Sequence, residues 1–145
     1  MVRYYISDVS SKTIPILRIE ALLKKYLDKT YNGMVLVEFW DANGFYDYFV
    51  GSSILLRNPD GVVKRPQGHH NIKNFWTHEI AVIFDEDWIQ TLIHEIIHVN
   101  QFHTMTKSHW NQIDLNYPIR AKDPYEIEAI ERAYRYAAIE KDEGN

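Results

Sequence analysis

The residues best suited to chemistry form one short stretch, His94-Glu95-Ile96-Ile97-His98, with the pattern H-E-x-x-H. On an α-helix, residues i and i+4 lie one above the other, so both imidazoles can reach the same metal ion. Glu95 lies about 100° around the helix from His94, and therefore beside such an ion rather than beneath it. A carboxylate in that place can take a proton from a water molecule that the metal activates. The spacing therefore predicts a metal centre that carries its own general base.

The residues around this stretch predict a helix that is buried over most of its circumference. We expect Asp85 to cap this helix and the helix to run to about His103. Its polar residues share one narrow stripe without lysine or arginine, formed by Asp87, Gln90, Thr91, His94, His98 and Gln101. Glu95 falls between Trp88 and Phe102, where an ionised carboxylate needs a partner. The alternative, an amphipathic helix with two solvated histidines, would usually place lysine or arginine on the polar stripe.

A second helix is predicted from Asp123, with Pro124 at its first helical position, to about Lys141. Glu126 lies at the centre of its apolar face, which also holds Ile127, Ala129, Ile130, Ala133, Tyr134, Tyr136, Ala137 and Ala138. A carboxylate there is costly unless it is paired or binds a metal. Glu128 falls on the polar face instead, at the spacing of an i,i+4 pair with an arginine. Two histidines and one glutamate form a known catalytic zinc set, so we expect Glu126 to be the third ligand.

The two helices together resemble the gluzincin class of metallopeptidases, in which the third ligand is a glutamate on the helix after the H-E-x-x-H helix. The match lies in residues 94–98 and in residues 124–129, P-Y-E-I-E-A, and the resemblance covers roughly residues 85–139. The small size is similar to that of the minigluzincins, and the extension to Gln101, H-E-x-x-H-x-x-Q, recurs in small gluzincin-like proteins. The chain departs from the pattern at Ile130, where many relatives carry Asp or Asn that supports the metal ligands.

This resemblance implies an α/β (α+β) fold of the zincin type, in which a small mixed β-sheet packs on the active-site helix and a glutamate helix follows. It also implies one Zn²⁺ ion, held by both histidines of the motif and by Glu126, and a peptide or protein substrate. Glu95 would take a proton from water and deliver it to the leaving amine. In larger gluzincins a His or Tyr stabilises the oxyanion, and His109 and Tyr117 are the candidates here.

Two other functions remain open from the residues. A metal-bearing but non-proteolytic regulatory or binding domain, or one kept latent by its own chain, would have a fourth protein ligand that closes the site. A module with no metal at all would contain no zinc after purification.

Other polar residues near the motif have less defined roles. Gln101 shares the histidine stripe and either supports a ligand or bonds a loop backbone. His103 lies half a turn away from the ligand face, so we do not expect it to bind the metal. His69 and His70 are adjacent in a predicted loop, and adjacent residues do not readily face one ion.

The rest of the chain predicts elements that would position the two helices. Thr13 is the expected cap of a first helix that runs to Lys29 and packs on a sheet. Strands are expected at 4–6, 34–40, 46–49, 53–56, 62–64 and 78–84, the last of them buried on both faces. Residues 41–44 read as a turn and residues 65–74 as a loop. We expect residues 50–56 to form the sheet edge that borders the cleft.

Composition narrows the class of protein. The chain of 145 residues predicts one domain, 1–145, with 46% hydrophobic and 25% charged residues, as is usual for globular proteins. There is no cysteine, which excludes disulfides and thiolate zinc sites and leaves His, Asp and Glu as ligands. A net charge of -4 without a long basic run argues against nucleic-acid binding. Because we find neither a signal peptide nor a membrane span, we expect a cytoplasmic protein without a membrane partner.

Overall fold

The computed structural model of this chain describes residues 3–8, 12–49, 56–57, 63–64, 68–74, 77–105 and 123–143. Its strands are β1 (Arg3–Asp8), β2 (Met34–Trp40), β3 (Leu56–Arg57), β4 (Val63–Lys64), β5 (Gly68–Asn74) and β6 (Thr77–Ile83). Its helices are α1 (Ile16–Tyr26), α2 (Ala42–Phe49), α3 (Trp88–Thr104) and α4 (Pro124–Glu143). Among these residues, no helix combines the length and the apolar composition needed to cross a membrane.

The architecture is mixed α/β, built on a four-stranded sheet with the order β1-β2-β6-β5. The strands β1, β2 and β6 are parallel, and β5 runs antiparallel to β6 at one edge. Leu36 of β2 has Tyr5 as its Cα partner on one side and Glu79 on the other. A separate antiparallel ladder joins β3 to β4. The sheet places β6 between two neighbours, in agreement with the prediction of a buried central strand at 78–84.

The main core lies between one face of the sheet and the helices α1 and α3. Its fully buried side chains come from all of these elements and include Ile19, Leu22, Leu23, Val35, Val37, Phe39, Ile80, Val82, Leu92, Ile93 and Ile96. Each contributes about 1.5–3 kcal/mol through the apolar surface that it removes from water. The opposite face of β6 buries Ala81 and Ile83 against Phe45 of α2. The helix α3 is therefore held against the sheet along most of its length.

The strands with strong apolar patterns are where the sequence predicted them. The segment 34–40 is β2, 4–6 lies within β1, and 78–84 corresponds to β6 with a shift of one residue. The predicted strand 62–64 overlaps β4. Of residues 50–56, the expected cleft edge, only Leu56 lies within the described part of the chain, and it belongs to the β3–β4 ladder rather than to the main sheet.

The predicted turn at 41–44 and strand at 46–49 are wrong, because these residues form one helix, α2. Asp and Asn favour turns and helix N-termini for the same reason, namely that their side chains bond nearby backbone amides. The helix begins with a hydrogen bond from the Phe45 amide to the carbonyl oxygen of Asp41, at 2.9 Å. Phe45 is then completely buried against Ala81 and Ile83, which favours the helix over a turn.

The predicted loop at 65–74 is also wrong in part, since residues 68–74 form β5. His69 and His70 are the Cα partners of Ala81 and Ile80 on β6, and a register irregularity lies between Ile72 and Asn74. The strand was missed because its residues are mostly polar and do not alternate with apolar ones. An edge strand tolerates such residues, because it needs backbone pairing on one side only.

The helix α1 is shorter than the segment from Thr13 to Lys29 that the sequence predicted, and its N-cap is Pro15 rather than Thr13. A tertiary contact ends it at Tyr26. The side chain of Asn100 on α3 donates from Nδ2 to the Tyr26 carbonyl and accepts the Asp28 amide at Oδ1, both at 2.8 Å. This amide bridge replaces the next helical turn, so periodicity within α1 alone overestimates its length.

Helix α4 packs on α3 through a face that differs from the predicted one. Glu126, Ala129, Ala133 and Glu140 are buried, whereas Ile130 is 47% and Tyr134 is 68% exposed. The prediction that Ile130 and Tyr134 belong to the packed face is therefore wrong, although the placement of Glu126 on that face is correct. The two alanines allow a close approach to α3, which larger side chains would prevent.

Candidate metal centre

The helix α3 begins at Trp88, after a turn that Asp85 closes. Oδ1 of Asp85 accepts the amide of Asp87 at 2.9 Å, and its carbonyl accepts the amide of Trp88 at 3.2 Å. The N-cap residue is Asp87, which makes no side-chain capping bond, so Asp85 supports the entry to the helix rather than its N-cap. The helix ends at Thr104, one residue beyond the predicted His103. It places His94 and His98 one turn apart on its outer side, toward α4.

The helix α4 begins as predicted, with Pro124 in its first position and Asp123 before it. Oδ1 of Asp123 accepts the amide of Tyr125, and its carbonyl oxygen accepts the amide of Ile127, each at 2.9 Å. Glu126 thus stands in the first turn, where the helix dipole stabilises a negative charge. It is only 3% exposed and faces the histidines of α3.

His94, His98 and Glu126 meet in one group whose ligand atoms all lie within 4.8 Å of one another. Oε1 of Glu126 is 2.7 Å from Nε2 of His94, and Oε2 is 3.1 Å from Nε2 of His98. The two Nε2 atoms are 3.1 Å apart. All three side chains therefore direct a metal-ligating atom to the same point between α3 and α4.

The donor set, two imidazole nitrogens and one carboxylate, is one that zinc uses in proteins. Imidazole nitrogen and carboxylate oxygen bind zinc at about 2.0–2.2 Å, which places tetrahedral ligands about 3.3–3.5 Å apart. The separations of 2.7 to 3.1 Å are shorter than this by about 0.2 to 0.8 Å, so each side chain would have to move outward to hold the ion. Within the described ranges, no fourth His, Asp or Glu joins the group. In that part of the chain one coordination position of a tetrahedral ion is left without a protein ligand.

The charges at the centre favour a cation. Burial opposes ionisation of Glu126, but hydrogen bonds from both histidines outweigh it and hold the pKa of this carboxyl far below its usual range. Burial alone would lower the pKa of His98, but its hydrogen bond to Glu126 and the charge of Glu95 outweigh burial and raise it. A cation at the same point would take over the role of the imidazolium charge.

Glu95 lies beside the group without being part of it. It is buried, and its Oε1 is 3.9 Å from Nε2 of His94, beyond hydrogen-bonding distance. This agrees with the position expected from the helical wheel, about 100° away from the ligand face.

Gln101 joins the two helices at the same place. Its Oε1 is 2.8 Å from Nδ1 of His98, and its Nε2 donates to the carbonyl oxygen of Tyr125 at 2.9 Å. Nε2 also donates to Oε1 of Glu128 at 3.1 Å. The sequence left support of a ligand and a bond to a loop backbone as alternatives for Gln101. The structure shows a contact with the candidate ligand His98 together with a bond to a backbone carbonyl, which belongs to α4 rather than to a loop. The sequence did not predict the contact between Glu128 and Gln101, because it assigned Glu128 only to an i,i+4 pair with Arg132. That pair is also present, at 3.6 Å.

The remaining candidates do not join the group in the described structure. His109 and Tyr117 lie outside the described residues. Nε2 of His103 is 2.9 Å from Oγ1 of Thr30, and His103 is absent from the three-residue group, in agreement with its predicted exclusion. Ile130, at the position where many gluzincins carry Asp or Asn, is exposed and is not part of the three-residue group.

A second buried carboxylate, Glu140, was missed at the other end of α4. It is 2% exposed and accepts hydrogen bonds from Arg18 at 2.8 Å and from Tyr26 at 2.6 Å, while Nζ of Lys25 lies 2.7 Å away. Four helical turns span about 14 residues, so Glu140 lies on the same side of α4 as Glu126. That spacing is the sequence signal that would have found it.

No protein-family model matches the chain, and neither a curated protein nor a solved structure shows significant similarity to it. Because a fold does not by itself define a function, the support for a function comes from the geometry of the site.

Proposed function

We propose that this protein is a zinc-dependent metallopeptidase of the gluzincin type, with a zincin-like arrangement of its sheet and helices. The observation that carries the proposal is the meeting of Glu126 with His94 and His98, with atom separations of 2.7 and 3.1 Å. An H-E-x-x-H match alone is a hypothesis that needs a structural context. A buried carboxylate that reaches both histidines from a second helix is the context that a two-histidine, one-glutamate zinc site requires.

The roles of the residues follow from their positions. His94, His98 and Glu126 would hold one zinc ion, which when bound lowers the pKa of a water molecule to about 7 and polarises a carbonyl group. Glu95 accepts the proton of the attacking water and delivers it to the leaving amine. Its Oε1 lies 3.9 Å from Nε2 of His94, close to the three proposed ligands but outside their group.

A peptide or protein substrate fits the surroundings of the site. The edge strand β5 lies next to both β6 and α3. Its outer edge can accept an extended peptide as an additional strand through backbone hydrogen bonds. We therefore propose that the substrate lies along β5; residues 50–55, most of the edge that the sequence favoured, lie outside the described residues.

The proposal is tested by metal analysis of the purified protein together with a casein-cleavage assay with and without a chelator. A zinc peptidase should contain about one equivalent of zinc. The chelator should abolish cleavage and added zinc should restore it. One equivalent of zinc without cleavage of any peptide pool would favour the non-proteolytic metal-binding domain. In that case the Glu95→Gln variant should contain as much zinc as wild type and should likewise show no cleavage. Absence of zinc, with no binding of added zinc, would reject both functions.

A further inference from the structure

We infer that Gln101 is a positioning residue that keeps the ring proton of His98 on Nδ1 and thereby presents the lone pair of Nε2 to the metal. The inference rests on the proposed metal site and concerns how this chain prepares one of its ligands. It also identifies the source of the support that Ile130 does not provide.

Both the oxygen and the nitrogen of the Gln101 side-chain amide have hydrogen-bond partners. Its Nε2 lies 2.9 Å from the carbonyl oxygen of Tyr125 and 3.1 Å from Oε1 of Glu128. Both partners are acceptors, so the nitrogen of the amide, with its two N–H groups, must face them. The reverse orientation would place the Gln101 oxygen against two other oxygens.

This orientation determines the state of His98. With Nε2 of Gln101 directed at α4, Oε1 is the atom that lies 2.8 Å from Nδ1 of His98. An amide oxygen only accepts, so Nδ1 of His98 must carry a proton and donate it. A neutral imidazole has one N–H, and its other nitrogen, Nε2, then keeps a lone pair for the ion. Nε2 is also the atom that faces His94 and Glu126.

The position of Gln101 makes this effect strong. It is 6% exposed, so water does not readily replace either partner. One of the acceptors is a backbone carbonyl in the first turn of α4, next to Glu126, and it cannot change its protonation. The same amide therefore orients His98 and ties the turn that carries the third ligand to α3. Such support of a metal-bound histidine typically contributes 10- to 100-fold in metal affinity.

The neighbouring residue Asn100 provides a matched control. It also bridges helices through both ends of its amide, but those hydrogen bonds join α3 to the end of α1 rather than His98 to α4. Loss of the Asn100 amide should lower stability without changing the state of a ligand. A purely structural role for Gln101 would make the two residues equivalent.

The test measures zinc affinity by competition with a chromophoric chelator for wild-type protein, Gln101→Met, Gln101→Asn and Asn100→Ala. Gln101→Met has a similar length without the amide, and Gln101→Asn keeps an amide that is too short to span both partners. Both should bind zinc about 10- to 100-fold more weakly. Asn100→Ala should bind zinc as wild type does, although its free energy of unfolding is reduced.

A second measurement follows the ring proton of His98 directly by long-range ¹H–¹⁵N NMR of the zinc-loaded protein. The wild-type spectrum should show the proton on Nδ1, with slow exchange with water, and Gln101→Met should lose that protection. A proton on Nε2 of wild-type His98 would overturn the inference, and this result needs no variant to fold.

The outcomes separate this inference from the proposed function. Equal zinc affinity of wild type and Gln101→Met, with cleavage activity intact, overturns the role of Gln101 alone. An equal loss of affinity in Asn100→Ala overturns it as well, because the loss would then reflect general destabilisation. A wild-type protein that binds no zinc overturns both the inference and the metallopeptidase proposal.

Discussion

Oε1 of Glu126 lies 2.7 Å from Nε2 of His94, and the two residues belong to different helices. The contact requires the first turn of α4 to lie against the outer side of α3. Ala129 and Ala133, both buried, permit that approach. A buried carboxylate this close to an imidazole nitrogen either accepts a hydrogen bond from it or binds the same cation. The proposed metal centre is therefore also part of the interface between the two helices.

Replacing Glu95 tests whether it is the general base. Because Glu95 is outside the three-residue ligand group, Glu95→Ala should retain its zinc. Its turnover should fall by about 10²- to 10⁴-fold, the usual contribution of a positioned base. Zinc content by atomic emission and cleavage rate are measured on the same preparation. Loss of zinc together with activity would show that Glu95 is a ligand.

Replacing Glu126 and Glu128 tests the orientation of α4. Glu126→Ala should lose both zinc and activity, because it removes the only ligand that α4 supplies in the described structure. Glu128→Ala should keep both, since the carbonyl of Tyr125 still holds the Gln101 amide. Its free energy of unfolding should fall by about 1 kcal/mol, because the variant loses the hydrogen bond from Gln101 as well as the exposed i,i+4 pair with Arg132. The opposite result for the two variants is incompatible with the metal centre.

Replacing His109 and Tyr117 tests the oxyanion role that the gluzincin resemblance implies. If one of them stabilises the developing negative charge, His109→Ala or Tyr117→Phe should lower kcat by roughly a hundredfold, with KM little changed. Steady-state kinetics on a short fluorogenic peptide measure both constants. Normal kinetics in both variants would remove these two residues from the mechanism.

Replacing Glu140 tests the anchor at the far end of α4. Glu140→Gln weakens its charged contacts with Arg18, Lys25 and Tyr26, and should lower the free energy of unfolding by about 2 kcal/mol. The control is Glu143→Gln, because Glu143 is 59% exposed and its pair with Lys25 at 3.1 Å should contribute little. Urea denaturation measures both variants. Equal stabilities would mean that the buried network does not hold α4 in place.

Acidification tests the state of His78, which is 1% exposed on β6. Burial, followed by the charge of His103, lowers the pKa of His78 to about 4. In the unfolded chain His78 therefore binds a proton as the pH falls through about 6.5, whereas in the folded chain it binds one only near pH 4. Stability contributed by neutral His78 is thus fully present above pH 6.5 and is lost as the pH falls to 4, by roughly 3 kcal/mol in total.

The variant His78→Gln isolates this effect, because glutamine does not titrate. As the pH falls from 6.5 to 4, the free energy of unfolding of wild type should therefore decrease more than that of His78→Gln. Urea denaturation at several pH values measures the difference. A constant difference over that range would show that His78 titrates equally in the folded and unfolded states.

The periodicity of apolar residues was sufficient to predict the helices and strands in which those residues follow a regular pattern. Alternating or continuous apolar residues marked β2 and β6, and the spacing of apolar and acidic residues marked α3 and α4. The relation of His94 to His98 also needs no tertiary information, since any α-helix places i and i+4 on one side. The choice of Glu126 over Glu128 followed from helical geometry, which separates the two by about 200°.

Tertiary contacts decided the features that local patterns leave ambiguous. Residues 42–44, which the sequence predicted as part of a turn, belong to α2, because the helix buries Phe45 against the sheet. The polar residues of β5 form a strand because their backbone pairs with that of β6. The side chain of Asn100 on α3 ended α1. Each outcome depends on contacts with residues that are distant in the chain, and local secondary-structure propensities do not include such contacts.

The same division holds for the candidate site. The sequence by itself identified the three candidate ligands, the helix that carries two of them and the side of α4 that carries the third. Only the tertiary structure decided that Glu126 reaches both histidines, that Gln101 contacts Nδ1 of His98, and that Glu140 joins the other end of α4 to α1. The physical reason is that hydrogen bonds and ion pairs act over about 3 Å, so they form only after the apolar core has brought α3 and α4 together.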